Sequence, residues 1–330
     1  MIILRITSGL GNQMFQYAFY TLLQEKYKDT EILCDTTWFH NNHEGREYEL
    51  EKIFSGVNGS LFEIKKASVS QVTNLSGRIP NLFDGSFGKI FDKIRRYPNR
   101  LLKDIKLKKR LPYILEQYPE VTSPVSEDEF FDAVMNLDTS KDYYITGYFI
   151  EEKFYSKIID RVREKLLFPV ISEEWNLEYA DKISNCDSVS IHVRRGDYLS
   201  DLYKDKFLTL GKEYYEKAVE YVTNYINGVA QAENRAADIR FFIFSDDAEF
   251  VMKEFDWIKN KTIITGNTQE KSFRDMQLMS MCRHNITANS TFSQWGALLN
   301  QSPNHITIYP KTYMVDSDNE IKSDESWVRI

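Results

Sequence analysis

Apolar residues recur along this 330-residue chain in two alternating periods, and its first fifty positions already show both. Residues 2–6 form a short, largely apolar run that reads as a buried strand. After Thr7-Ser8-Gly9-Leu10-Gly11-Asn12-Gln13 come Phe15, Ala18, Phe19, Leu22, Leu23 and Tyr27, spaced to share one face of a helix. A second short strand at 31–34 completes a β-loop-α-β opening, the start of a Rossmann-like half. Between 41 and 142 the periods fade among Lys, Asn, Ser and aromatic residues, and no topology is assigned there. Pattern returns with a strand at 143–148 and a helix at 151–166, which Phe168-Pro169 stops. That stop divides the chain into an N-terminal domain, 1–168, and a C-terminal domain, 169–330. In the second domain, strands at 188–193, 240–245, 262–265, 284–288 and 305–309 alternate with helices at 211–227, 247–256, 270–282 and 292–300. Such alternation requires crossovers and a mostly parallel sheet, so the fold class is α/β.

Composition narrows the function. With 42% hydrophobic and 14% aromatic residues the chain can fill two cores, and its net charge of -7 argues against a nucleic-acid partner. One stretch departs from that acidity: Lys93, Arg95, Arg96, Arg100, Lys103, Lys106, Lys108, Lys109 and Arg110, interleaved with Ile94, Leu101, Leu102, Ile105 and Leu107. It reads either as a solvated basic helix or as an amphipathic helix making peripheral contact with an anionic membrane. Cys34, Cys186 and Cys282 lack metal-ligand spacing and fit reduced thiols. Nothing in the first residues has the form of a signal peptide, and no run of about 18 apolar residues occurs. The expected location is cytoplasmic, with the inner membrane as the place of any peripheral contact.

The chemistry concentrates where strands end. His192-Val193-Arg194-Arg195-Gly196-Asp197 closes the strand at 188–193 with two guanidinium forks, which suit the oxygens of a phosphorylated ligand. The bland alternative is a charged turn facing water. Gly9-Leu10-Gly11-Asn12-Gln13-Met14 resembles half of a dinucleotide fingerprint, but Met14 occupies the third glycine position and only Asp35 follows as an acid, which disfavours a dinucleotide oxidoreductase. The loop still offers N–H groups and the Asn12 amide at a helix N-terminus, either to an anion or as a cap. In Phe244-Ser245-Asp246-Asp247 the carboxylates suit a ribose, a base edge or a metal, and at least one is expected to cap the next helix. Asn289, Ser290, Thr291 and Ser293 crowd a helix entry, where hydroxyls and free N–H groups hold phosphate. Asp316-Ser317-Asp318 has the spacing of a metal-binding D-x-D but no strand leads into it, so it reads as a solvated loop and no metal is expected.

Four of these segments, taken in order, carry a resemblance. Gly9 to Ala18, His192 to Tyr198, Phe244 to Asp247, and Arg283-His284-Asn285 with Asn289 to Ser293 are together similar to the bacterial α-1,2-fucosyltransferases of glycosyltransferase family eleven. The resemblance implies a GT-B fold, two Rossmann-like domains facing a central cleft, with the N-terminal domain on the acceptor side and the C-terminal domain holding GDP-fucose. It implies metal-independent, inverting transfer of fucose to the 2-hydroxyl of a terminal galactose on an oligosaccharide or surface polysaccharide. By the same similarity Arg194 meets the β-phosphate, His192 and Asp275 face guanine, the Ser290 to Ser293 region meets the phosphates, and Asn12 lies near the phosphates or the acceptor. Arg195 is expected beside the donor or paired with a carboxylate, Asp246 at the donor, and Asp197 or Asp201 as the proton acceptor. Gln294 departs from the family, which commonly has a tryptophan there. The alternatives are a GDP-fucose-dependent transferase of another linkage and a silent nucleotide- or glycan-binding module.

Overall fold

β1 (Ile2–Arg5) is fully apolar apart from its last residue, and it lies at the centre of a parallel sheet rather than at an edge. The computed structural model describes the chain except residues 41, 43, 58–61, 103–112, 118–125, 202–203 and 316–322; the side chains of 100–102 and 197 also lie outside the description. It comprises two units, Met1–Leu167 and Phe168–Ile330.

In the first unit, α1 (Leu10–Lys26) and β2 (Ile32–Asp35) follow β1 as the sequence predicts. The middle region, left unassigned from sequence, holds α2 (Leu50–Phe54), α3 (Val69–Ser76), α4 (Gly85–Leu102), β3 (Ile114–Glu116) and α5 (Glu127–Met135). Most are too short for a period to stand out, and local capping sets two of them: Ser68 with Gln71 and Ser126 with Glu129 form reciprocal boxes. The basic helix therefore starts at Gly85, earlier than its charges suggest, and Lys103 to Arg110 lie outside the described residues. β4 (Tyr143–Thr146) completes the sheet, order β2-β1-β4-β3, all parallel. The helix expected at 151–166 is broken; two 3-10 turns precede α6 (Ile159–Lys165). Phe154 in the first turn is fully buried against Phe19 and Phe149, so ring packing rather than helix period sets this segment.

The second unit opens with α7 (Glu174–Ser184), which the sequence pattern does not reveal. Then come β5 (Asp187–Val193), α8 (Lys212–Ala232), β6 (Ile239–Ser245), α9 (Ala248–Glu254), β7 (Lys261–Ile263), α10 (Phe273–Met281), β8 (His284–Ile286), α11 (Thr291–Leu298), β9 (Thr307–Tyr309) and β10 (Val328–Arg329). All pairs are parallel, in the order β10-β9-β8-β5-β6-β7. On one face Val189, Ile191 and Val193 pack against Tyr215, Ala218, Val222 and Ile226 of α8; on the other Phe242 and Phe244 meet Leu278 and Met279 of α10. The α/β class with two Rossmann-like units is thus the observed one. From β5 the chain runs outward through β6 to β7, then returns to β8 on the opposite side. The crevice beyond β5 and β8 is the topological switch point, where open α/β sheets bind ligands. No helix among the described residues is long and apolar enough to cross a membrane.

Candidate active site

The register of β5 and β6 builds the centre of the site. Val193 lies opposite Ser245, so the residues that leave the two strands, Arg194-Arg195 and Asp246-Asp247, emerge side by side. Arg194 Nη1 is 3.0 Å from Asp246 Oδ2. The backbone N–H of Arg195 donates to Asp246 Oδ1 at 3.0 Å, and its Nε lies 3.3 Å from Asp247 Oδ2. Its guanidinium also covers the Phe250 ring at 3.5 Å, while Asp247 caps α9 by accepting from Phe250 N. Arg195 is therefore held on three sides and acts as part of the frame. Asp246, expected to touch the nucleotide, is committed to both arginines. A Cβ at Gly196 would stand 2.9 Å from Asp246 Oδ2, so the turn needs a glycine to let that carboxylate in.

His192 lies beneath this pair, buried, with its ring 5.9 Å from that of Phe292 in α11. Burial, and then the charge of Arg194, push its pKa down to about 3, so the imidazole is neutral. Its Nδ1 is buried and has no hydrogen-bond partner among the described residues.

Across the crevice, the loop after β8 leads into α11. Ser290 is the N-cap residue but makes no side-chain cap, and the Ser290 and Thr291 hydroxyls have no partner among the described residues. Asn289 and Ser293, by contrast, make hydrogen bonds within the protein. Asn289 spends its amide hydrogens on the carbonyls of Leu208 and Tyr313 and has only an acceptor left, the wrong group for a phosphate. Ser293 Oγ donates to Ser290 O and accepts from Ala288 N, which shapes the turn. Gln294 points inward, its amide donating to Tyr313 Oη and Ser323 Oγ.

Asp275 lies in the first turn of α10. Its Oδ1 accepts from Asn267 Nδ2 at 2.8 Å, and Asn267 pairs reciprocally with Asn176 at 2.8 and 2.9 Å. Burial pushes the Asp275 carboxyl up to about 7. Asp201 is an exposed partner of Lys204, while the side chain of Asp197 lies outside the described residues. Asp316 and Asp318 also lie outside them.

In the first unit Asn12 sits in the first turn of α1, with no side-chain hydrogen bond among the described residues. Gly9, not Asn12, occupies the N-cap position. Asp35 accepts from Tyr144 Oη at 2.6 Å inside the core, which removes the last acidic candidate for a dinucleotide site.

The sequence pattern of glycosyl transferase family 11 matches residues 113–330. The chain belongs to this family. Glycosyl transfer is accordingly its general activity. Among its relatives, O-antigen biosynthesis glycosyltransferase WbnK of Escherichia coli is 27% identical, over 98% of this chain and 99% of that protein. Alpha-1,2-colitosyltransferase of Escherichia coli is also 27% identical, over 100% and 99%. Galactoside alpha-(1,2)-fucosyltransferase 1 of Saimiri boliviensis boliviensis is 29% identical over 34% of this chain and 28% of that protein.

In each unit of this family 11 chain, residues that shape the loops bearing the candidate side chains escape sequence reasoning. Gln13 and Gln16 are fully buried on α1. Gln13 grips Ser8 O, Glu47 O and Glu49 N, and Gln16 grips Thr7 and Gly147 O, so together they hold the loop before Asn12. Tyr198 donates to Asn289 O at 2.7 Å and ties the arginine loop to the loop after β8. Asn285 joins β8 to Ser190 of β5 and to Met279 O.

Proposed function

We propose that this family 11 enzyme transfers fucose from GDP-fucose to the 2-hydroxyl of a terminal galactose, with inversion and without a divalent metal. The observation that carries the reading is the arginine pair held by Asp246 and Asp247 at the switch point, at the end of the strand that neighbours β8, whose loop brings in Ser290 and Thr291. In the transfer, the bond from the anomeric carbon to the β-phosphate oxygen breaks as the galactose 2-hydroxyl attacks from the opposite side and gives its proton to a carboxylate of the arginine loop, Asp197 or Asp201. Negative charge grows on the departing GDP, and a guanidinium already fixed in place stabilises it without reorganising. Arg194 is given the β-phosphate, Ser290 and Thr291 the phosphate oxygens, His192 and Asp275 the guanine, and Asn12 the acceptor side. The activities for which the relatives are named support an α-1,2 linkage and a glycan acceptor.

The deciding assay incubates the protein with GDP-fucose, galactose-terminated acceptors and EDTA. The expected product carries fucose at the galactose 2-position, with turnover unchanged by EDTA. Loss of turnover in EDTA overturns the metal-free part. A donor preference for GDP-colitose, whose sugar is 3-deoxyfucose, moves the reading to the chemistry named for the colitosyltransferase relative.

The Asp275 carboxyl makes the donor contact pH-dependent. Guanine presents N1–H and its amino group, both donors, so it needs the ionised carboxylate. With that carboxyl at about 7, lowering the pH protonates it and weakens GDP binding by about tenfold per unit below that point. Calorimetric titration with GDP over a pH series measures this, and in Asp275→Asn the dependence should vanish. His192, neutral throughout that range, contributes no inflection.

A further inference from the structure

α4 presents three distinct faces. One is pinned to the preceding segment: Asn81 Nδ2 donates to Gly88 O at 3.0 Å, Arg95 Nη1 to Ile79 O at 2.7 Å, and Asn99 Oδ1 accepts from Ile79 N at 2.7 Å. A second holds Phe87, Ile90, Ile94 and Tyr97, which are 78%, 56%, 64% and 72% exposed. At 3.6 residues per turn these four fall within an arc of about 80°. The third carries Lys89, Lys93 and Arg96, all exposed, directly alongside the apolar arc. The nearby acids are already engaged, Asp92 by Arg95 and Asp84 by His40.

Four large apolar side chains left in water on one face of a helix mark an interaction surface. We propose that this face of α4 docks on an anionic lipid surface, with the rings and isoleucines entering the headgroup boundary and Lys89, Lys93 and Arg96 meeting the lipid phosphates. Charge decides the occupant. A basic flank on a chain of net charge -7 matches an anionic bilayer. A second copy of the chain, paired through this same face, would bring two sets of these cations together. The stripe is also far smaller than the 20–30 residues a side of a standard protein interface (about 800 Å² per partner). The proposal does not depend on the transfer reading.

The test is flotation of the full-length chain with phosphatidylcholine vesicles, with and without phosphatidylglycerol. Binding to the anionic vesicles alone is expected. It should weaken as salt rises, drop about fivefold in Lys93→Gln, and be lost in Ile90→Ser/Ile94→Ser. No binding of the unaltered chain at low salt overturns the proposal, and so does binding that neither variant changes. A dimer in sedimentation velocity that Ile90→Ser/Ile94→Ser dissociates, without vesicle binding, assigns the face to self-association instead. Thermal melting verifies that the variants fold; if the double variant melts early, Lys93→Gln and the salt series decide.

Discussion

Arg194→Ala is expected to lower turnover about 10²–10³-fold, equivalent to about 3–4 kcal/mol, with GDP-fucose saturating. The size follows from timing: the guanidinium acts on charge that appears as GDP leaves, so its loss falls on kcat more than on KM. The structure sharpens the expectation for Arg194→Lys. Asp246 holds the Arg194 fork through Nη1 at 3.0 Å and also holds the Arg195 backbone. An ammonium has no second arm, so once it reaches Asp246 it cannot keep the same aim on a phosphate, and only part of the rate should return. The neighbouring Arg195→Ala should instead loosen the frame, because its contacts are Asp247 and Phe250. Steady-state and single-turnover kinetics separate the two. Near-normal turnover in Arg194→Ala removes Arg194 from the chemistry.

That arginine pair was legible in the sequence because it closes a short β-branched strand in which Val189, Ile191 and Val193 alternate with Ser188, Ser190 and His192, and that strand is buried along its whole length. A carboxylate partner for Arg195 was expected, but which carboxylates meet which arginines was not legible. Two motifs, Arg-Arg and Asp-Asp, each follow the end of a strand by the same offset, and only the Val193–Ser245 register shows that the offsets meet. The buried amides of Gln13, Gln16 and Asn285 were hidden for a different reason. A glutamine or asparagine in a sequence looks like surface until the backbone groups it satisfies are known. α7 was missed because its apolar residues mislead: Trp175 and Leu177 are exposed, whereas Asn176 is buried in the bond network that reaches Asp275. For Asn289 and Ser293 the internal bonds were hidden in the opposite direction. Their residue types suit an anion site, but Asn289 holds the carbonyls of Leu208 and Tyr313, and Ser293 closes the turn into α11 between Ala288 N and Ser290 O.

Phe19→Ala should cost the first unit about 3–5 kcal/mol, the range for removing a fully buried ring. Phe19 is fully buried on α1, stacked on Phe149 at 4.1 Å between ring centres and edge-on to Phe154 at 5.4 Å. Phe149 has φ 57, a left-handed conformation that costs a bulky residue roughly 1–3 kcal/mol and persists only where surroundings enforce it. Two things enforce it: Gln117 Oε1 accepts from its N–H at 2.9 Å, and the ring stack holds the side chain. Removing Phe19 therefore takes away burial and one of the two restraints on Phe149, so the loss should lie toward the upper end of the range. Phe19→Leu, which refills most of the space, should recover more than half of it. Denaturant unfolding followed by fluorescence provides the measurement, with a separate earlier transition expected if the two units unfold independently. A cost below about 1 kcal/mol would mean that neighbouring rings collapse into the space. In that case the repacked rings and Gln117 share the hold on Phe149, and Gln117→Ala becomes the substitution that tests the turn after β4.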